Sequence, residues 1–283
     1  RWMPQLRPGQ TLTPLFTTPS ALAPSVIAIK DRSIWMRESQ RAATGQVVRV
    51  SVDNPEPASW TTIVPPTTDT LVAASAVANR LALTYLHEAS SLIRITDMAG
   101  SPRGRATLPG IGTTGPIWAS PGSPTAHFTF SSFAQPRSVL SLNVLDLSTK
   151  VWRAPKVPFN PHDFITTSAM VPSADGTPVH VFITRRRDVV RDGRNPTLLY
   201  GYGGFNVPLT PEYQPEWLAW MQTGGVLVVA NLRGGGEFGR DWYQAGTRLT
   251  KQRTFDDFIG AAEWLKARHW TNTSRLAITG RSN

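Results

Sequence analysis

Three runs in the last part of the chain, Thr197-Leu198-Leu199-Tyr200, Gly225-Val226-Leu227-Val228-Val229-Ala230 and Arg275-Leu276-Ala277-Ile278-Thr279, are apolar or uncharged apart from the leading Arg275, with little polar alternation. A strand with one wet face alternates polar and apolar residues. Continuous runs instead require burial on both faces, as in a parallel sheet covered by helices. Between the second and third runs the pattern changes period. Phe258, Ala261, Ala262 and Leu265 recur on one helical face, and Thr254 followed three residues later by Asp257 predicts a capping box at the helix start. Ahead of these elements, Ser168 to Asp175 and Pro178 to Thr184 read as a hairpin turning at Asp175-Gly176-Thr177. The order from Val226 is therefore strand, glycine-rich loop, helix, strand and then Gly280-Arg281-Ser282-Asn283. That is the order in which an α/β-hydrolase reaches its nucleophile, so residues 162–283 are expected to form part of such a domain on a doubly wound, mostly parallel sheet.

Residues 1–161 follow a different grammar. Val47 to Val52, Leu81 to Leu86, Leu92 to Ile95, His127 to Phe130 and Val139 to Val144 read as short strands, with no convincing helical period anywhere among them. Several end in polar turns such as Val52-Asp53-Asn54-Pro55, Thr96-Asp97-Met98-Ala99-Gly100 and Leu145-Asp146-Leu147-Ser148-Thr149, each followed by another β-like stretch. A recurrence at roughly 45 residues is what four-stranded propeller blades produce. The expectation is a partial all-β propeller, with a β-sandwich as the alternative.

Other features narrow the chemistry. The chain of 283 residues can bury a large core. It opens on Arg1 and closes on half a motif, so it reads as an internal piece of a longer protein whose amino-terminal signals stay open. The formal charge of +10 raises nucleic acid as a partner, but the cations are scattered. The one dense run, Arg185-Arg186-Arg187, is followed by Asp188 and lacks the interleaved aromatics of a single-strand platform. No run approaches the roughly 18 apolar residues of a membrane span. With no cysteine, disulfides, thiol catalysis and cysteine metal sites are excluded together. Arg233-Gly234-Gly235-Gly236-Glu237 lacks the Lys-Ser/Thr of a phosphate loop and reads as a tight turn at the sheet edge. Asp256 and Asp257 point in different directions on a helix and are assigned to capping and dipole matching rather than to an acid–base pair.

Gly280-Arg281-Ser282 is the first half of G-x-S-x-G, in which small neighbours let a serine occupy a strained strand-to-helix turn. Its place after a buried strand makes Ser282 the candidate nucleophile; a plain strand-end turn is the alternative. A hydroxyl needs a base, and in this fold the histidine and carboxylate follow the serine. His87, His127, His162, His180 and His269 all precede it, and none is assigned that role. The backbone N–H of Asn283 is a candidate oxyanion donor. A second donor is expected from Tyr200-Gly201-Tyr202-Gly203-Gly204-Phe205, for which an ordinary glycine turn with packed tyrosines is the alternative.

As an ordered set, Tyr200-Gly201-Tyr202-Gly203-Gly204-Phe205-Asn206, the segment from Gly224 to Gly239, Lys251-Gln252, Phe255-Asp256-Asp257-Phe258 and Gly280-x-Ser282-Asn283 closely resembles the prolyl oligopeptidase family of serine peptidases. Upstream, Tyr85-Leu86-His87-Glu88, Phe130-Ser131-Ser132-Phe133 and Ser173-Ala174-Asp175-Gly176 resemble it more loosely. The resemblance implies a seven-bladed propeller capping an α/β-hydrolase domain, with the later blades and the first half of the hydrolase present here. It implies Ser282 as nucleophile, Tyr202 as side-chain oxyanion donor, Asn283 as backbone donor and Phe205 in an apolar pocket for the residue before the scissile bond, usually proline. The implied activity is hydrolysis of short peptides, after proline, through an acyl-enzyme. No cofactor or metal is implied, and no nucleic acid or membrane partner. The complete protein is expected to be a monomer in the cytoplasm, with the periplasm as alternative. The triad aspartate and histidine would lie beyond Asn283, so these 283 residues alone are expected to be inactive. An esterase or acylaminoacyl-type hydrolase on the same scaffold, and a non-catalytic propeller interaction protein, are the rival readings. One departure is Arg281, which stands where a glycine is usual and leaves the strictness of any proline preference open.

Overall fold

The computed structural model describes residues 24–283; the first part of the 1–161 propeller range lies outside the described residues. Strands β1 (Ser25–Lys30), β2 (Ser33–Glu38), β3 (Gln46–Ser51) and β4 (Thr61–Val64) form an antiparallel meander. A second consists of β5 (Thr70–Val77), β6 (Arg80–His87), β7 (Ser90–Asp97) and β8 (Pro102–Arg105). In the third, β9 (Thr113–Thr114) and β10 (Trp118–Ala119) share one edge of β11 (Thr125–Ser131), followed by β12 (Ser138–Asn143) and β13 (Thr149–Arg153). The three sheets start at Ser25, Thr70 and Thr113, close to the rhythm read from the sequence. The strands expected there all fall on observed strands, and the described residues of this region hold no α-helix.

The middle sheet shows why these are blades and not a sandwich. Along β6, Leu81, Leu83 and Tyr85 pack towards Trp35 and Val47 of the first sheet. Ala82, with Ile93 and Ile95 of β7, packs on the other side against Phe128, Phe130, Leu140 and Leu142 of the third. Because side chains alternate across a strand, one sheet contributes to two cores. A two-layer sandwich has one inner face per sheet, whereas here the sheets stack in series.

A ten-residue connection after β13 leads to β14 (Phe164–Pro172) and β15 (Pro178–Arg186), an antiparallel hairpin closed by the Ser173 N–H to Thr177 O bond of 2.9 Å. Then follow β16 (Thr197–Gly201), α1 (Pro215–Gln222), β17 (Val226–Asn231), α2 (Arg240–Ala245), α3 (Gln252–Ala267) and β18 (Leu276–Thr279). The sheet order is β14-β15-β17-β16-β18, in which the hairpin joins β17 antiparallel and β17, β16 and β18 run parallel. Val226, Val228 and Ala230 of β17 face Ala261 and Leu265 of α3, while Leu227 and Val229 face Leu218 and Met221 of α1. Helices thus cover both faces of β17, and this accounts for its unbroken apolar run; β18, expected to be buried on both faces, instead lies at the sheet edge with Ala277, Ile278 and Thr279 exposed. Ala89, Phe133 and Ala134 from the blades join the α1-side core, Phe133 meeting Phe182 edge-on at 5.6 Å.

The predicted capping box is not formed. Helix α3 begins at Gln252, ahead of Thr254, and Thr254 and Asp257 are both buried. Their oxygens bond to Arg233, far away in sequence: Thr254 Oγ1 donates to Arg233 O at 2.7 Å, and Asp257 accepts the Arg233 N–H at 2.9 Å. Tertiary partners outcompete the local cap. The amphipathic face itself is as expected, with Ala261 and Leu265 buried and Phe258 and Ala262 packed beside them.

Candidate active site

From β16 the chain crosses by α1 to β17 on one side and then by α3 to β18 on the other, so strand order reverses around β16. In open α/β sheets the crevice at the carboxyl ends of strands flanking such a reversal is the ligand-binding position. Three loops emerge there: Tyr202 to Asn206 after β16, Leu232 to Glu237 after β17 and Gly280 to Asn283 after β18. The first two touch at the backbone. A Cβ on Gly234, whose φ is +100°, would lie 2.3 Å from Gly203 O, and one on Gly203, φ +58°, would lie 2.3 Å from Thr254 Cγ2. Neither position has room for a side chain, and both use backbone conformations that suit glycine.

Ser282 is exposed and has φ +69°. The Asn283 N–H donates to Arg281 O at 2.9 Å, closing a three-residue turn with Ser282 at its centre. A γ-turn with positive φ on a non-glycine residue is rare and strained, and such strain collects at functional sites. The N–H read from the sequence as an oxyanion donor is therefore directed at Arg281 O in this conformation. The Asn283 side chain has a further part that no local pattern discloses: Nδ2 donates to Tyr202 O at 2.7 Å and to Gly203 O at 3.0 Å. The serine turn and the tyrosine loop are thereby joined. Tyr202 is half-buried, and Phe205, with φ +53°, is 72% exposed.

Phe205 and Asn283 line a cleft of about 530 Å³ together with Tyr243, Arg248 and Lys251. Lys251 Nζ donates to Gly203 O at 2.7 Å, and burial draws its pKa below the ordinary lysine value. None of the five histidines lines this cleft. His180 is buried on β15, with Nδ1 2.8 Å from Asn231 Oδ1, and burial lowers its pKa. His87 lies against Asp69 at 2.8 Å in the second blade, and His127 packs edge-on against Trp152 in the third. His162 and His269 are exposed.

Beneath the loops sits a framework of buried charge. Arg233 places Nη2 2.6 Å from Asp257 Oδ1 and Nη1 2.6 Å from Asp175 Oδ2, and its Nη2 also donates to Ser173 Oγ at 3.1 Å. Burial opposes the Arg233 charge, but hydrogen bonds and attraction from Asp257 and Asp175 outweigh it and hold its pKa above the ordinary value. Asp175 is correspondingly held low, first by its hydrogen bond from Arg233 and then by those from Thr177. Glu237, fully buried, accepts the Leu209 N–H at 2.7 Å and Asn231 Nδ2 at 3.1 Å through Oε1. Burial pushes its pKa up to about 7, against those hydrogen bonds. Arg233 and Glu237 are thus the internal struts of the loop that the sequence reading treated as a turn. Among the described residues no group of three or more metal-ligating side chains gathers, and no helix is long and apolar enough to cross a membrane.

The sequence model described as "Prolyl oligopeptidase, N-terminal beta-propeller domain" matches residues 1–155, and that described as "Prolyl oligopeptidase family" matches residues 211–283. The chain belongs to the prolyl oligopeptidase family. Ser282 and Asn283 fall within the second matched stretch, while Tyr202 and Phe205 fall between the two. Among curated members, the prolyl endopeptidase of Elizabethkingia miricola is 32% identical over 251 residues, covering 89% of this chain and 36% of that protein. Prolyl oligopeptidase ophP of Omphalotus olearius is 34% identical over 265 residues, covering 92% and 35%. Prolyl oligopeptidase B from Galerina marginata, solved bound to a 35mer hydrolysis and macrocyclization substrate, superposes with a TM-score of 0.88 at 26% identity, over 97% of this chain and 39% of that one. A structure from a study of two prolyl endopeptidases gives a TM-score of 0.85 at 38% identity, over 91% and 38%. The chain spans about a third of the length of the curated prolyl oligopeptidase relatives it matches.

Proposed function

We propose that this chain carries the nucleophile and one wall of the active site of a serine-type oligopeptidase that cleaves short peptides after proline. The observation that carries the reading is the strained Ser282 turn at the carboxyl end of β18, joined through Asn283 to the carbonyls of Tyr202 and Gly203. Ser282 would attack the scissile carbonyl and form an acyl-enzyme that water hydrolyses. The Tyr202 hydroxyl would donate to the oxyanion, aided by the Asn283 N–H once it exchanges Arg281 O for the developing charge. Phe205, exposed at the cleft mouth, would supply an apolar surface for the proline ring. Ser282 requires a general base for this attack, and none of the five histidines is assigned that role. The propeller would restrict entry to small or unfolded peptides by steric exclusion. The decisive test is hydrolysis of a proline-containing chromogenic peptide by the full-length protein. Activity abolished by Ser282→Ala supports the reading, and activity retained by that variant overturns it.

A further inference from the structure

Lys251 immediately precedes α3, where the ordinary role of a lysine is to sit in solvent. Here it is half-buried and its Nζ donates to Gly203 O at 2.7 Å. The same carbonyl accepts Asn283 Nδ2 at 3.0 Å. A carbonyl oxygen has two lone pairs, and these two donors use both. One donor comes from the serine turn and the other from the start of α3, so the Gly203 carbonyl ties together three segments that are distant in sequence.

We propose that Lys251 is a positioning residue for acyl transfer at Ser282: its ammonium fixes the Gly203–Gly204 peptide so that the oxyanion loop and the serine turn are held in one frame. This rests on the serine peptidase reading given above. Gly203, with φ +58°, has no side chain of its own to anchor the loop, so its carbonyl is the point at which the flanking segments can hold it. The bond is charge-assisted, the stronger class of hydrogen bond. Among the described residues Lys251 forms no ion pair, and its Nζ lies 5.8 Å from the Phe255 ring centre. Burial of the ammonium lowers its pKa with no carboxylate to offset it. A half-buried cation without a counter-ion is an expensive way to stabilise a fold, and the geometry returns that expense as loop placement. Displacement of a reacting group by about 1 Å can cost on the order of 100-fold in rate.

The test compares wild type, Lys251→Met and Lys251→Arg in the full-length protein. For Lys251→Met the expected result is a fall in kcat of about 10- to 100-fold with KM within about twofold, and Lys251→Arg should recover at least threefold of that loss. A kcat for Lys251→Met within twofold of wild type overturns the proposal, as does a loss that appears equally in KM or is not recovered by arginine. A second readout needs no turnover: hydrogen–deuterium exchange of a peptide spanning residues 200–206 should quicken in Lys251→Met while that of residues 226–231 stays unchanged. Unchanged exchange at 200–206 also overturns the proposal. If the wild type shows no Ser282-dependent hydrolysis, the peptidase reading fails, and the exchange result alone decides whether Lys251 holds the loop.

Discussion

The guanidinium of Arg233 lies against the carboxylate of Asp257 inside the protein, with Nη2 2.6 Å from Oδ1, and the Arg233 N–H donates to Oδ2 at 2.9 Å. Their side chains are 4% and 0% exposed. Two charges out of water are tolerated only because every strong donor of the arginine finds an acceptor. Removing Arg233 leaves Asp257 buried without a counter-charge, and removing Asp257 leaves Arg233 with only the half-exposed Asp175, each at a cost of about 3–5 kcal/mol. Asp257→Ala is therefore expected to lower the unfolding free energy by that amount in urea titrations. Arg233→Met combined with Asp257→Leu should cost less than the two single changes together, since no lone charge remains. A loss below about 1 kcal/mol for Asp257→Ala would show that the pair is not desolvated as described.

Glu237 adds a pH dependence of definite sign. Burial lifts its folded pKa to about 7, above the ordinary carboxylate value of 4.5 that applies in the unfolded chain. The folded state therefore binds the proton more tightly. Its contribution to stability is fully present below about pH 4.5 and is lost as pH rises through 7. Glutamine keeps an acceptor for the Leu209 N–H and Asn231 Nδ2 but cannot ionise. Glu237→Gln should gain stability relative to wild type between pH 5 and pH 8, by on the order of 1–3 kcal/mol. Chemical denaturation at the two pH values checks this, and parallel curves for the two proteins would contradict it.

The two predictions rest on contacts that no local pattern could disclose. Val226 to Ala230 could be read as a doubly covered strand because burial on two faces erases polar alternation, and the blades could be read because their strands recur at near-constant spacing. The Ser282 turn was legible because glycine and serine types are dictated by the backbone. Thr254 and Asp257 misled for a physical reason: Thr-x-x-Asp satisfies a local cap on paper, but Arg233 arrives from 24 residues before Asp257 and takes the carboxylate. Lys251 and Gly203 are 48 residues apart, and only the fold brings them together. Glu237 likewise shows its role only once Leu209 and Asn231 are placed beside it.

The contact between the blades and the sheet domain differs in kind from one place to another. Near the third blade it is apolar, with Phe133 against Phe182 and Trp217. At the first blade it is polar: the Arg240 N–H donates to Ala43 O at 2.9 Å, and Arg240 Nη1 donates to Gln40 O at 2.7 Å and Ser39 O at 3.3 Å. Arg240→Ala removes the side-chain bonds and leaves the backbone one, so global stability should change by only about 1 kcal/mol. The local effect should be larger, with tryptic cleavage after Arg41 accelerating severalfold. Phe133→Ala leaves a cavity in a shared core and should cost about 3–5 kcal/mol. If both variants lowered global stability equally, the contrast between the two contacts would be lost.

Tyr202→Phe separates the hydroxyl of Tyr202 from everything else the residue does. Its carbonyl, bonded to Asn283 Nδ2 at 2.7 Å, and its ring are retained, so the serine turn should stay docked. In the resting arrangement the Asn283 N–H is directed at Arg281 O. On the proposed mechanism the Tyr202 phenol would then carry a large share of early oxyanion stabilisation. Loss of one such donor lowers kcat by about 100- to 1,000-fold, and because the interaction strengthens only as charge develops, KM should change little. Steady-state kinetics on a proline-containing peptide with the full-length protein gives both constants. In a Ser282→Ala background the same change should add no further loss, because residues that act in one step are not additive. A Tyr202→Phe variant with wild-type kcat would remove Tyr202 from the chemistry and leave the Asn283 N–H as the donor to examine next.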